Sequence, residues 1–433
     1  MNISILSVFP ELYQSFLTTS LVQRSQQQGL VHFDLTSFFA YVQPKERIDA
    51  PTFGHGAGML IKPEVVQNAI QDKEQKHGKA FKIFFSPHGK KLDQNLLKKL
   101  ASQAIQANHL MLVAGRYEGM DSRVEEQYAD EIVSIGDYVL MGGDVPAMVL
   151  LEGLLRLMPG VVGKQESIEQ ESFSGPFVDY PEYTEPVEWE GKRVPDVVRS
   201  GNHGALRQWR TQQAAHRTVK GHFEWLRKQP LTPEQKLLVH QAIPPHYVLL
   251  NHADVFVGRE SKIPGYTSIT SLDIHDIARS CKTYGIKEYC LVSPLEDQQK
   301  IAKTLLNFWH TGVGVDYNRQ RHEAVKHVSI MSTVDEVIAH IESVEGVRPL
   351  LVATSARQVE HHKHITFYDQ GMLWSLQRPL LFVFGTGQGL TPDFIARCDY
   401  ILPPVGGLTE FKHLSVRSAV AVILDRWLGL SPE

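Results

Sequence analysis

Short apolar runs, each paired with an amphipathic stretch, recur along this 433-residue chain, and that alternation restricts its fold more than any other feature. ISILSVF, HFDLTSFF, FKIFFS, LMLVAG and EIVSIG read as strands, with QNLLKKLASQAIQ and AMVLLEGLLRLM as helices among them. Parallel strands need a crossover, usually a helix, so residues 1–160 read as an α/β domain with a mostly parallel sheet. YVLLNH, EYCLVSP, VRPLLVATSA, PLLFVFGTG and DYILPP repeat the pattern later, separated by LDIHDIARSCKTYG and SVRSAVAVILDRWLG. A second α/β domain is therefore expected over 246–433, and a chain of this length is too long for one ordinary core.

Between these domains the composition changes twice. GKQESIEQESFSGP is polar and aperiodic, so 161–177 reads as a flexible linker or mobile lid. Residues 178–243 read as turns followed by two helical runs, ended by the Pro-Pro pair of QAIPPHY, which sets a boundary near 244. Charge reverses sign across this segment. Residues 164–196 hold nine carboxylates against three basic side chains, whereas 199–228 hold seven basic side chains against one Glu. The net charge of −4 conceals that basic half, which is a candidate phosphate-facing surface.

No apolar run approaches the roughly 18 residues of a spanning helix, and the N-terminus lacks a signal-peptide pattern, so a cytoplasmic protein is expected. Cys281, Cys290 and Cys398 are odd in number and lack ligand spacing, which favours reduced structural thiols over disulfides. No metal-ligand cluster is visible.

Three glycine-bearing turns follow strands in the first domain: SPHGKKLDQ (86–94), AGRYEGMD (114–121) and SIGDYVLMGGDVPAM (134–148). Glycine there lets backbone approach a ligand closely, and three such turns at the carboxyl ends of parallel strands would line one crevice. Arg116 and Glu118 lie in one of these loops, where charged side chains are more often functional than on a solvated helix face.

These motifs, together with FPE (9–11), RLMPGV from Arg156, ESFSG, YTEP and SGNHGALRQWR, resemble the bacterial tRNA guanine-N1 methyltransferases of the knotted SPOUT superfamily. The resemblance runs from residue 9 to about 243. It implies a trefoil-knotted domain holding bent S-adenosylmethionine, a homodimer with the site at its interface, and a small helical domain for tRNA. The implied substrate is the guanosine just 3′ of the anticodon. By motif position it implies Glu171 as general base, Arg156 as the cation for guanine O6, and Glu118 beside the sulfonium. Pro87, Gly115, Tyr117, Ser134, Ile135, Gly136, Asp137, Tyr138, Val139, Leu140, Gly142 and Gly143 match its cofactor-binding loops. The chemistry agrees with those residue types: neutral guanine must lose its N1 proton to a base, while charge growing on O6 requires a donor. Three positions depart from the family pattern: Glu171 stands where Asp is usual, Asp144 where Glu is usual, and the early glycine loop reads FGHGAGM.

In the basic segment, arginines alternate with Trp209, His216, His222 and Trp225 at helical spacing. The expectation is tryptophans mostly in a core and arginines mostly facing RNA. Asn202 and His203 match a family motif that touches substrate, and Arg207 and Arg210 are candidate phosphate contacts.

FGTGQGL (384–390) superficially resembles a dinucleotide fingerprint, but its spacing is wrong and too little chain follows it. The stretch from 247 onward instead resembles a less characterised family of SPOUT-like RNA methyltransferases. That resemblance implies a second knot and a second cofactor pocket formed by Thr354, Gly385, Gly387, Leu402 and Leu414, with Arg417 and Ser418 nearby. Two roles stay open for this half: an independent RNA methyltransferase, or a binding module for tRNA capture or dimerisation.

Overall fold

The computed structural model describes residues 1–54, 56–162, 171–258, 262–311, 313–360 and 362–431. The chain divides into two compact units, Met1–Ser174 and Gly175–Glu433. Most of the expected linker, residues 163–170, lies outside the described residues.

The first unit is built on β1 (Asn2–Ser7), β2 (His32–Ser37), β3 (Phe81–Lys91), β4 (His109–Val113) and β5 (Glu131–Ser134). They form one parallel sheet in the order β2-β1-β4-β3-β5. Every residue of β4 is buried, as its unbroken apolar run requires of a strand covered on both faces. Alternate residues feed two cores. Ile3, Ile5, Leu110 and Leu112 pack with the helices α1 (Gln94–Ala107) and α2 (Asp144–Leu157), whereas Leu6, Met111 and Val113 meet Val65, Val66, Ala69 and Ile70 opposite. Asp93 starts α1 by accepting the Leu96 amide at 2.7 Å, and Asn108 ends it in a left-handed conformation. The register of β3 against β5 breaks between Phe85 and Lys90. Gly89 lies in that break, where a Cβ would stand 2.7 Å from the Ile132–Val133 backbone, so the close approach demands glycine.

The second unit carries helices α3 (His203–Leu226) and α4 (Pro233–Ala242), then β6 (His246–Asn251), α5 (Ser271–Thr283), β7 (Glu288–Val292), β8 (Val328–Met331), β9 (Leu350–Ala353), β10 (Leu380–Gly385), β11 (Tyr400–Ile401) and the final helix α6 (Val416–Leu428). Its sheet is also parallel, in the order β8-β7-β6-β10-β9-β11. Without the edge strand β8, that order is second-first-fourth-third-fifth along the chain, the order of the first sheet. The repetition is thus one of architecture, in two segments without alignable motifs.

Helices α3 and α4, expected to form a small domain ending near 244, share a core with the second sheet. Val219, Phe223 and Leu226 recur at helical spacing, and with Val239 they pack among Val248, Phe382, Trp374 and Trp427. Phe223 meets Trp374 edge-on at 4.8 Å between ring centres. Just past Pro244–Pro245, the buried His246 Nε2 accepts from the indoles of Trp374 (3.2 Å) and Trp427 (3.0 Å). Indoles only donate, so the His246 proton sits on Nδ1, which donates to the Pro244 carbonyl at 2.6 Å. Burial pushes this imidazole down to about 4. The Pro-Pro pair therefore turns the chain inside one core.

All three cysteines are buried, and burial pushes the Cys290 and Cys398 thiols up to about 12. Among the described residues, no helix is long and apolar enough to cross a membrane.

Candidate active site and cofactor pockets

In the first unit, the irregular stretch of β3 after Phe85 and the loops leaving β4 and β5 converge on a cavity of about 400 Å³. Pro87, Gly115, Tyr117, Glu118, Ser134, Ile135, Gly136, Tyr138, Val139, Leu140, Gly142 and Gly143 all line it. Asp137 does not: its carboxylate turns outward to Lys91. The glycines are dictated by contact. A Cβ on Gly136 would stand 2.3 Å from the Tyr138 ring, and one on Gly142 2.5 Å from Arg116 Cδ. The Gly143 amide donates to the Gly115 carbonyl at 2.8 Å, joining two of the three loops. Gly58, of the FGHGAGM loop, lies against Glu118 so closely that a Cβ would come within 2.4 Å of its Cγ.

One buried carboxylate holds the arrangement together. Asp144, at the first position of α2, is fully buried and accepts from Arg116 Nε at 2.7 Å, Ser7 Oγ at 2.5 Å and Tyr13 Oη at 3.1 Å. Sequence reasoning registered Asp144 only as a departure from a pattern. The available signal was its place among apolar positions, Val145 to Leu151, at a helix start, where a carboxylate is buried only with partners. Also missed were Ser86, His88 and Glu125, which line the same cavity. Ser86 Oγ lies 2.7 Å from His88 Nδ1, and His88 Nε2 lies 3.5 Å from Glu125. Desolvation raises the Glu125 carboxyl above the usual range, and His88 opposes that shift.

Arg156 and Glu171 are brought together, but away from this cavity. Two N–H groups of the guanidinium face the two carboxylate oxygens, Nε at 3.2 Å from Oε2. Arg156 lies near the end of α2, twelve residues after Asp144, or about 18 Å along the axis at 1.5 Å per residue. Between them Val145, Val149, Glu152 and Arg156 form one exposed stripe.

The second unit repeats the construction. A cavity of about 1060 Å³ is lined by the loops after β9, β10 and β11 and by the start of α6. Those strands occupy the sheet positions of β3, β4 and β5, and the helix follows as α2 does. Thr354, Gly385, Gly387 and Leu414 line the cavity, whereas Leu402 is buried in the core beneath it. Gly387 has φ +59, and a Cβ there would stand 2.7 Å from the Phe256 carbonyl. Ser418 bonds Ser415 Oγ within the α6 cap, and Arg417 turns to Asp273 and Asp276 of α5 at 3.8 and 3.9 Å.

In the basic segment, Asn202 caps α3 by accepting the Gly204 and Ala205 amides at 3.1 Å. His203 and Arg207 are exposed. Arg210 is half-buried with its guanidinium over the Tyr180 ring at 4.5 Å, and Trp209 is half-buried with its ring 6.3 Å from that of Tyr183. Arg227 does not face outward. It donates to the carbonyls of Asp425, Arg426 and Gly429, satisfying the C-terminal end of α6.

A family model described as tRNA (Guanine-1)-methyltransferase TrmD matches residues 1–228, and one described as SAM-dependent RNA methyltransferase matches 246–429. Proteins named tRNA (guanine-N(1)-)-methyltransferase from Oleidesulfovibrio alaskensis and Nitratidesulfovibrio vulgaris are 36% and 37% identical, each over 99% of both chains. The protein of that name from Bacillus subtilis is 36% identical over 54% of this chain and 96% of its own. The chain therefore belongs to the tRNA (guanine-N1)-methyltransferase family of S-adenosylmethionine-dependent enzymes and carries a second, SAM-dependent RNA methyltransferase domain behind the first.

Proposed function

We propose that this protein methylates N1 of the guanosine 3′ of the anticodon in tRNA, with Glu171 as base, Arg156 as the O6 donor and the first cavity as the methyl-donor site. The observation that carries this reading is the Arg156–Glu171 pair. Guanine presents N1–H beside O6, a donor next to an acceptor, and a carboxylate side by side with a guanidinium is the complement of that edge. Glu171 takes the N1 proton while Arg156 steadies the charge that moves onto O6. S-adenosylmethionine supplies the methyl group as an electrophile. The cavity fits it: two close-packed glycine loops, 115–119 and 136–143, give backbone contact, and Glu118 gives a carboxylate suited to a sulfonium.

The pair and the cavity stand at opposite ends of α2, and a homodimer resolves the gap. Two α2 stripes crossing antiparallel about a twofold axis bring the Arg156 end of one copy to the cavity end of the other. Exposed Val139, Met141, Val145 and Val149 give that contact an apolar centre. The trefoil-knotted path belongs to the same proposal, supported by the return of the 135–143 loop against Gly115 and Arg116. So does tRNA capture by Asn202, His203, Arg207 and Arg210 on the 178–243 segment, and with tRNA as substrate the protein works in the cytoplasm. The second cavity, built on the same strand positions, is read as a second methyl-donor site.

Mass spectrometry of nucleosides from treated tRNA transcripts tests the main reading. N1-methylguanosine at the position 3′ of the anticodon supports it, and its absence with folded protein and methyl donor present defeats it.

A further inference from the structure

Helix α3 and the second cavity belong to one body. The buried stripe of α3 packs against β6 and β10, and β10 runs directly into the FGTGQGL turn that lines the cavity. Arg227, just past α3, holds the last carbonyls of α6, while residues at the other end of α6, Ser415 and Val416, line the cavity. An RNA gripped by α3 is thus held by the same rigid unit that forms the second cavity.

The cavity's own chemistry agrees with such a ligand. It is more than twice the size of the first, about 1060 against about 400 Å³, which leaves room for an acceptor beside a methyl donor. Among the described residues, its lining places Lys262, Arg357 and Lys412 against one carboxylate, Asp273, with His413 also in the lining. Three fixed cations against one carboxylate suit a phosphate backbone, and Asp273 is the carboxylate base among them. The Asp273 side chain is 13% exposed, receives the Thr270 hydroxyl at 2.6 Å and has Arg417 at 3.8 Å.

Resting on the reading of this cavity as a methyl-donor site, we propose that it methylates a second nucleotide of the tRNA that α3 grips, with Asp273 as proton acceptor. A nitrogen or oxygen of that nucleotide bonds to the methyl carbon. The carbon–sulfur bond breaks, its electron pair stays on sulfur as a thioether, and the nucleophile's proton passes to Asp273 and on to water.

The full chain, incubated with the organism's complete set of tRNA transcripts and labelled methyl donor, tests this by nucleoside mass spectrometry. A second methylated nucleoside is expected beside N1-methylguanosine. Asp273→Asn should cut the second about 10²-fold while leaving the first within about twofold. Because Asp273 also serves the first turn of α5, a second measurement follows acetylation of Lys262 and Lys412 in wild-type protein. tRNA should slow both, and the protection should fade as salt rises. N1-methylguanosine alone, or lysines that tRNA leaves equally reactive, overturns the proposal; a second product undiminished in Asp273→Asn removes Asp273 from it. Equilibrium dialysis separates this from failure of the underlying reading, since one bound donor per chain in place of two means that the second cavity takes no donor at all.

Discussion

Arg116 Nε lies 2.7 Å from the carboxylate of Asp144, and that carboxylate is wholly buried. The bond ties the loop after β4 to the first residue of α2, and Ser7 and Tyr13 add β1 and the segment behind it. Asp144→Asn removes the charge that Arg116 faces. A loss on the order of 3 kcal/mol in the first unit is expected, since breaking one side of a buried pair strands the other. Methyl-donor affinity should fall with it, because Gly115 and Gly142 line the cavity through this contact. Urea titration and donor binding, measured together, check both; an unchanged midpoint would show that Arg116 finds water instead.

Glu171→Gln keeps the size of the side chain but cannot accept a proton. Single-turnover methylation at saturating tRNA should slow about 10²- to 10⁴-fold with binding of tRNA and donor retained. Glu171→Asp, which shortens the reach by one methylene, should stay active but slower. If Glu171→Gln retains its rate, the base lies elsewhere: Glu169, outside the described residues, is then the next carboxylate to test, and Asp179 follows.

The dimer reading has a sharper test than a sizing column. Arg156→Ala and Gly142→Leu should each be inactive alone, the first lacking the O6 donor and the second the cavity. Mixed and allowed to exchange, they should recover about a quarter of wild-type activity, because half the dimers are then mixed and each carries one intact site. No recovery after exchange is shown by mass would mean that each chain builds its site unaided.

The sheet, its helices and the glycine-bearing turns of the first cavity were legible because apolar spacing and turn glycines leave their mark directly in sequence, while the cavity's individual lining residues came from the family resemblance. Partnerships between distant residues were not. Asp137 stands in a cavity motif, yet its exposed carboxylate meets Lys91 across the bulge in β3, which no local pattern announces. The tryptophans were expected as the core of α3, but Trp209 and Trp225 are half-buried and the covered face carries Val219, Phe223 and Leu226. Arg227 counted toward the basic segment by charge alone, although its guanidinium is taken up by three carbonyls. Leu402 sits in a motif at the second cavity but packs beneath it.

Acid should loosen the second unit before protonation of ordinary carboxylates does. His246 and His252 are held down to about 4 by burial, against an ordinary 6.5. The unfolded chain therefore takes up protons first as pH drops. The stability these neutral rings contribute is complete above about 6.5 and is lost between there and about 4, up to about 3 kcal/mol for each. All six tryptophans lie beyond residue 188, so indole fluorescence in urea reports on this unit alone. The midpoint should fall between pH 7.5 and 5, and the fall should shrink in His252→Asn. A midpoint that is flat over that range would mean the rings are solvated.

For tRNA, the two candidate arginines should behave differently. Exposed Arg207→Ala should weaken binding and reduce the salt slope by about one, the signature of a lost phosphate contact. Arg210, already stacked on Tyr180, should cost less when replaced by Ala. Equal effects, or none from Arg207, would redirect attention to other basic positions.

The carbonyls held by Arg227 lie 198 to 202 residues further along the chain, and Ser431 returns its amide to the Arg227 carbonyl at 2.6 Å. A ribosome makes these partners in sequence. The first unit is complete at Ser174 and can close while synthesis continues, but α3 emerges with its apolar face bare and keeps it bare until β6, β10 and α6 have followed. During that interval Val219, Phe223 and Leu226 of α3 lack the partners they meet in the folded second unit, so the burial of this helix is a late event in the making of the chain.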